Sequence, residues 1–146
     1  GRFPQEQAAG LNELSLWMFI NQEAFVNTEP LDIVREDNIW FLKKKGENTV
    51  YAFLVEETWP FGERKVRTIK SLQAGKNAKI SVLGQNSKVL EYHSDVDPTP
   101  ELKNTKTGLE ISVMRSHRIY NERKWPNPIV LKLEDVVFNP DLPVVD

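Results

Sequence analysis

The sequence predicts a mainly β protein, an antiparallel β-sandwich of about seven to eight strands preceded by one N-terminal amphipathic α-helix. An apolar stripe at helical spacing is confined to the start of the chain. From Asn38 onward, short β-branched and aromatic runs recur at near-regular intervals. No second long helical pattern separates those runs, which argues for a sandwich over a βαβ arrangement. With 146 residues and 40% hydrophobic content, the chain suffices for one domain whose core needs neither metal nor disulfide staples.

The helix is expected to open at Pro4, whose missing N–H would be unpaired in a first turn anyway, with Glu6 near the positive end of the dipole. Leu11, Leu14, Trp17 and Met18, with Phe19, Ile20 and Phe25 nearby, recur three and four residues apart from about residue 4 to residue 20. Gly10 costs this helix about 1 kcal/mol relative to alanine, and Asn21 suits its end. Such a stripe needs a surface to lie on.

The expected strands are Ile39–Leu42, Val50–Val55, Val66–Ile69, Ile80–Leu83, Val89–Tyr92, Leu109–Val113 and Ile129–Leu133. Several alternate apolar with polar residues, as a strand with one buried and one wet face must. Lys45-Gly46-Glu47-Asn48 reads as a hairpin loop, and Gly75-Lys76-Asn77 and Gly84-Gln85-Asn86 read as turns. Ser94 to Thr107, with Pro98 and Pro100 among polar residues, is expected to be a long surface connection, and the tail after Asn139 to hug the surface or fray.

Nineteen basic and 21 acidic residues spread along the chain give a net charge of -2, no footprint for nucleic acid or an anionic membrane. No stretch approaches the roughly 20 apolar residues that span a bilayer. The absence of cysteine removes disulfides, thiolate nucleophiles and sulfur-bound zinc, and fits a reducing or an oxidising compartment. A lone Gly1 is what cleavage of a longer polypeptide leaves, so further chain is expected upstream.

Gly1-Arg2-Phe3-Pro4-Gln5-Glu6-Gln7, followed by Trp17-Met18-Phe19-Ile20-Asn21-Gln22-Glu23-Ala24-Phe25, resembles the end of the catalytic domain in the α-L-fucosidases of glycoside hydrolase family 29. There a Gly-x-x-Pro-x-Gln helix runs into a Trp-x-x-x-Asn-Gly-Glu-Ala-Ile-Tyr segment before a C-terminal β domain. The Trp, Asn, Glu and Ala positions match; Gln22 replaces the usual glycine and Phe25-Val26 the usual Ile-Tyr. Looser likeness continues through Tyr51, Trp59-Pro60, Leu83-Gly84, Gly108-Leu109 and Val130 to Leu133.

The resemblance implies that residues 1–27 are the last helix and linker of a catalytic barrel, and residues 28–146 a non-catalytic β-sandwich that supports it. The family's nucleophile and acid/base lie in the barrel, upstream of Gly1, so no catalytic residue is carried onto this chain. It further implies a barrel partner in the same polypeptide, secretion or a periplasmic location, and no cofactor.

A retaining glycosidase needs two carboxylates about 5–5.5 Å apart. Glu56-Glu57 would point to opposite faces of a strand, and Asp95 and Asp97 sit on a loop, so both pairs read as solvated acids. Asp95, Asp97 and Glu101 also offer hard oxygen ligands for calcium, but at no EF-hand spacing, and no metal site is expected. His93 and His117, a strand apart, suggest surface positions rather than a triad or metal pair. The basic cluster Arg115-Ser116-His117-Arg118 with Arg123-Lys124 around Tyr120 reads as a solvated loop. Trp59, Phe61 and Trp125, each beside a proline, have two readings: platforms on which fucosylated glycans stack, or rings that cap the core and meet the barrel. Trp17 and Trp40 are expected to be buried. An exposed helix stripe would also invite a homo-oligomer.

Overall fold

The six residues of Thr49–Leu54 are all buried. Successive side chains of a strand point to opposite faces, so both faces of this strand must be covered. Val50, Ala52 and Leu54 belong to one apolar cluster, and Tyr51 and Phe53 to a second. The molecule therefore has three layers at this point, with two sheets face to face and a further segment on the outer face of one of them.

The structure is a computed structural model and describes Ser15 and residues 17–55, 62–84, 96–114 and 129–138. The described residues form eight strands: β1 (Thr28–Glu36), β2 (Ile39–Lys44), β3 (Thr49–Leu54), β4 (Arg64–Ile69), β5 (Leu72–Val82), β6 (Glu101–Thr105), β7 (Gly108–Met114) and β8 (Ile129–Phe138). A five-stranded sheet runs β1-β2-β3-β8-β5 and a three-stranded sheet β4-β7-β6. Every strand pair is antiparallel. This is the mainly β, sandwich-like fold expected.

The inner layer follows from the period of two. Ile39 and Phe41 of β2, with Leu131 and Leu133 of β8, face Ile69 of β4 and Leu109, Ile111 and Val113 of β7. Each fully buried aliphatic side chain here contributes about 1.5–3 kcal/mol of transfer free energy, which makes this layer the main source of stability. The smaller sheet is also pinned by polar bonds. Glu36 accepts the backbone N–H groups of Lys70 and Ser71, both at 2.8 Å, and Arg67 donates to Asn38 Oδ1 at 2.9 Å.

Four expectations need correction. β1 was not anticipated, because Pro30 and four charged residues disguise it. It is an edge strand, where proline is tolerated, and its register with β2 shifts between Pro30 and Arg35. Part of the expected 94–107 connection is β6, another edge strand, whose polar Glu-Leu-Lys-Asn-Thr sequence carries little strand signal. The Gly75-Lys76-Asn77 turn is instead a bulge inside β5, which starts at Leu72 and not at Ile80. Asp135 of β8 adopts φ 55° opposite this bulge. Its carboxylate accepts the Asn77 N–H at 2.9 Å and lies where a Cβ on residue 75 would fall, so a side chain there would displace the carboxylate from that bond.

The fourth correction is Trp40, which is 43% exposed and not buried. Ile39 and Phe41 take the inner face of β2, so Trp40 takes the outer one, with the Arg35 guanidinium over its ring at 5.5 Å. The other expected runs fall within β2, β4, β7 and β8, apart from Val50–Val55, which overruns the end of β3 at Leu54, and β8 extends beyond Leu133 to Phe138. The expected 89–92 strand, the helix from 4 to 14 and the tail after Asn139 lie outside the described residues.

Candidate functional site

Residues 17–21 are helical and pass into a 3-10 turn, Gln22–Phe25, which lies on the outer face of the larger sheet. Trp17 is buried, with its ring centroid 5.8 Å from that of Phe25 and 6.5 Å from that of Phe53; Phe25 and Phe53 are 5.5 Å apart. Ala24 is fully buried in the same cluster with Leu83 and Val130. Asn21 is buried too and turns its amide back to donate to the Trp17 carbonyl at 2.9 Å, which ties the helix end to itself. Ile20 packs directly on Gly84, whose φ of +82° ends β5 in a conformation that side-chain-bearing residues rarely adopt.

The joint has one polar lock. Tyr51 of β3 and Lys132 of β8 are register partners on the outer face. Tyr51 Oη donates to Glu23 Oε2 at 2.9 Å, and Lys132 Nζ lies 3.0 Å from the same oxygen. Burial opposes the charge on Glu23, but the hydrogen bonds from Lys132 and Tyr51, with the Lys132 and Lys44 charges, outweigh it and hold the carboxyl below its ordinary 4.5. Burial, then the bond to Glu23, drives the Tyr51 phenol well above its ordinary 10. The bond to Glu23 raises Lys132 above its ordinary 10.5 against the cost of burial.

Catalytic acids and bases are tuned toward the working pH. These three groups are tuned away from it, each held in its ordinary neutral-pH state. The network fixes Glu23, and with it the segment, over β3 and β8.

On the other side of the segment Met18, Phe19 and Val26 are exposed, Phe19 at 71%. Large apolar side chains left in water are of the kind that mark an interaction surface.

Of the residues singled out from sequence, Trp59, Phe61 and Trp125 lie outside the described residues, as do Glu56, Glu57, Asp95, His93, His117 and the basic cluster around Tyr120. Asp97 is engaged locally. Its carboxylate accepts from the Thr99 hydroxyl at 2.5 Å and the Thr99 N–H at 2.9 Å, bonds that hold its pKa below the ordinary value. Arg64 clamps the same turn through the Asp97 and Thr99 carbonyls at 3.0 and 3.2 Å. Glu101 opens β6 and is exposed. Among the described residues, no three His, Asp or Glu side chains gather as a metal site would require.

Sequence reading missed the Glu23, Tyr51 and Lys132 network, although Lys132 carried a signal. A lysine between Leu131 and Leu133 in a run of buried residues needs a counter-charge on its own face. No protein-family model and no curated protein matches the chain.

Proposed function

We propose that this chain is the non-catalytic C-terminal accessory domain of an α-L-fucosidase-like glycoside hydrolase, a sandwich that supports a catalytic barrel in the same polypeptide. One observation carries the reading. The four positions shared with the family's Trp-x-x-x-Asn-x-Glu-Ala pattern are those that seat the segment on the sheet: Trp17, Asn21 and Ala24 are buried, and Glu23 is bonded to Tyr51 and Lys132. The departures from the pattern, Gln22, Phe25 and Val26, all fall on exposed positions. Read this way, the pattern is the chemistry of a joint between helix and sandwich. The exposed Met18, Phe19 and Val26 then offer an apolar face to the barrel.

The coding sequence upstream of Gly1 tests the proposal. It should encode a barrel with two carboxylates flanking a sugar pocket; any other upstream architecture overturns it. This chain alone should not hydrolyse an aryl α-L-fucoside. Joined to the barrel, a Met18→Asp, Phe19→Asp variant should lose thermal stability and, with it, fucosidase activity. The alternative, a carbohydrate-binding module acting through loop aromatics, depends on Trp59, Phe61 and Trp125. Following the four tryptophan indole N–H signals during titration with L-fucose separates the two readings.

A further inference from the structure

β5 is the longest of the described strands and lies at an edge of the larger sheet. An edge strand presents backbone N–H and C=O groups on which another chain can pair. The bulge between Ala74 and Lys79 breaks the middle of this edge, and Lys76 and Lys79 put charge there. Leu72-Gln73-Ala74, ahead of the bulge, has neither proline nor charge to protect it.

The backbone of Ala74 points to that edge. Ala74 and Val136 are register partners, and Val136 turns its N–H the other way, to the Asn48 carbonyl at 2.9 Å. Opposed residues of an antiparallel pair alternate between bonded and unbonded, so Ala74 directs its N–H and C=O away from β8. One side chain takes both. Asn104 of β6 accepts the Ala74 N–H on Oδ1 at 2.8 Å and donates from Nδ2 to the Ala74 carbonyl at 2.9 Å. A primary amide carries the same donor and acceptor as a peptide group, so Asn104 stands where a residue of a sixth strand would stand.

We infer that Asn104 closes the β5 edge against a second copy of this chain. Symmetry identifies the excluded occupant. About a two-fold axis, Ala74 of each copy can exchange the same two bonds with the other, N–H to C=O in both directions, which would join two five-stranded sheets into one. The inference concerns the sandwich alone and holds with or without a barrel.

The test starts from the Phe19→Ser, Val26→Ser chain, which removes apolar side chains that the N-terminal segment leaves in water. Asn104 is exposed, so its truncation leaves no cavity. Asn104→Ala in that background should form a reversible dimer as concentration rises, seen by sedimentation velocity. Amide hydrogen exchange locates the contact. In dilute solution Ala74 should exchange about tenfold faster than with Asn104 present, the loss of one hydrogen bond, and should regain its protection as the dimer forms. Ala74→Pro serves as the second variant. It removes the N–H that faces the edge and none that bonds β8, so adding it to Asn104→Ala should return the chain to monomer with cooperative unfolding retained. A chain that stays monomeric without Asn104, or a dimer that leaves Ala74 unprotected or survives Ala74→Pro, would overturn the inference.

Discussion

Lys132 lies within an otherwise apolar run of β8, and its position makes sense only with Glu23 above it and Tyr51 beside it. The Glu23 side chain is 42% exposed, so solvent screens the ion pair, and Glu23→Gln should cost about 1 kcal/mol or less. Tyr51→Phe removes a hydrogen bond from a residue 1% exposed to a charged acceptor and should cost about 1–2 kcal/mol. Chemical denaturation of the two single variants and the double variant measures both costs and their coupling. The pH dependence follows from the directions of the shifts. Glu23 binds its proton less readily in the folded chain, so its contribution is present above its unfolded value near 4.5 and is lost as pH falls through the lower folded value. Tyr51 and Lys132 hold their protons more tightly when folded. Their contributions are complete below the unfolded values near 10 and 10.5 and are lost as pH rises through the higher folded ones. Thermal midpoints across pH should therefore show a plateau that falls at both ends; Glu23→Gln should flatten the acid limb and lessen the alkaline one, where burial of Tyr51 persists.

At the scale of elements, the strands that were legible are those whose side chains meet the core, because burial imposes the pattern that sequence reveals. β2, β3, β7 and β8 announce themselves by buried β-branched and aromatic residues. β1 and β6 are edges, as β4 and β5 are, but Pro30 with four charged residues in β1 and the polar Glu-Leu-Lys-Asn-Thr of β6 leave them without the apolar run that made β4 legible. The β5 bulge was misread because a glycine beside lysine and asparagine signals a turn equally well; only Asp135, far away in sequence, distinguishes the two. Gly75→Ala should cost about 1 kcal/mol, because the Asp135 carboxylate can swing aside but gives up its bond from the Asn77 N–H in doing so. Thermal unfolding of that variant measures the cost. The joint was partly legible: the stripe pointed to Trp17, whereas its polar lock was not visible. Trp17→Ala should cost about 3–4 kcal/mol, with faster hydrogen exchange over residues 17–25 and protection retained in β3 and β8. Trp40→Ala, on the exposed outer face beside Arg35, should cost about 1 kcal/mol or less.

For the whole molecule, the two faces of the short N-terminal segment set the behaviour. One face is committed to the sheet through Trp17, Ala24 and the Phe25 ring; the other leaves Met18, Phe19 and Val26 in water. A net charge of -2 provides little repulsion between copies. The chain on its own should therefore self-associate through this patch as concentration rises, in a reversible equilibrium visible by sedimentation velocity. Added sulfate should strengthen the association, because it favours apolar burial, whereas contacts held by charge would weaken as salt screens them. Phe19→Ser with Val26→Ser should leave the thermal midpoint nearly unchanged, since both side chains point away from the core, and should shift the equilibrium to monomer. The same surface that joins two copies is the one the proposed barrel would cover. A chain joined to that barrel should therefore lose this mode of association without either substitution. Association that persists in the double serine variant would place the contact elsewhere and remove the reason for assigning this face to a partner.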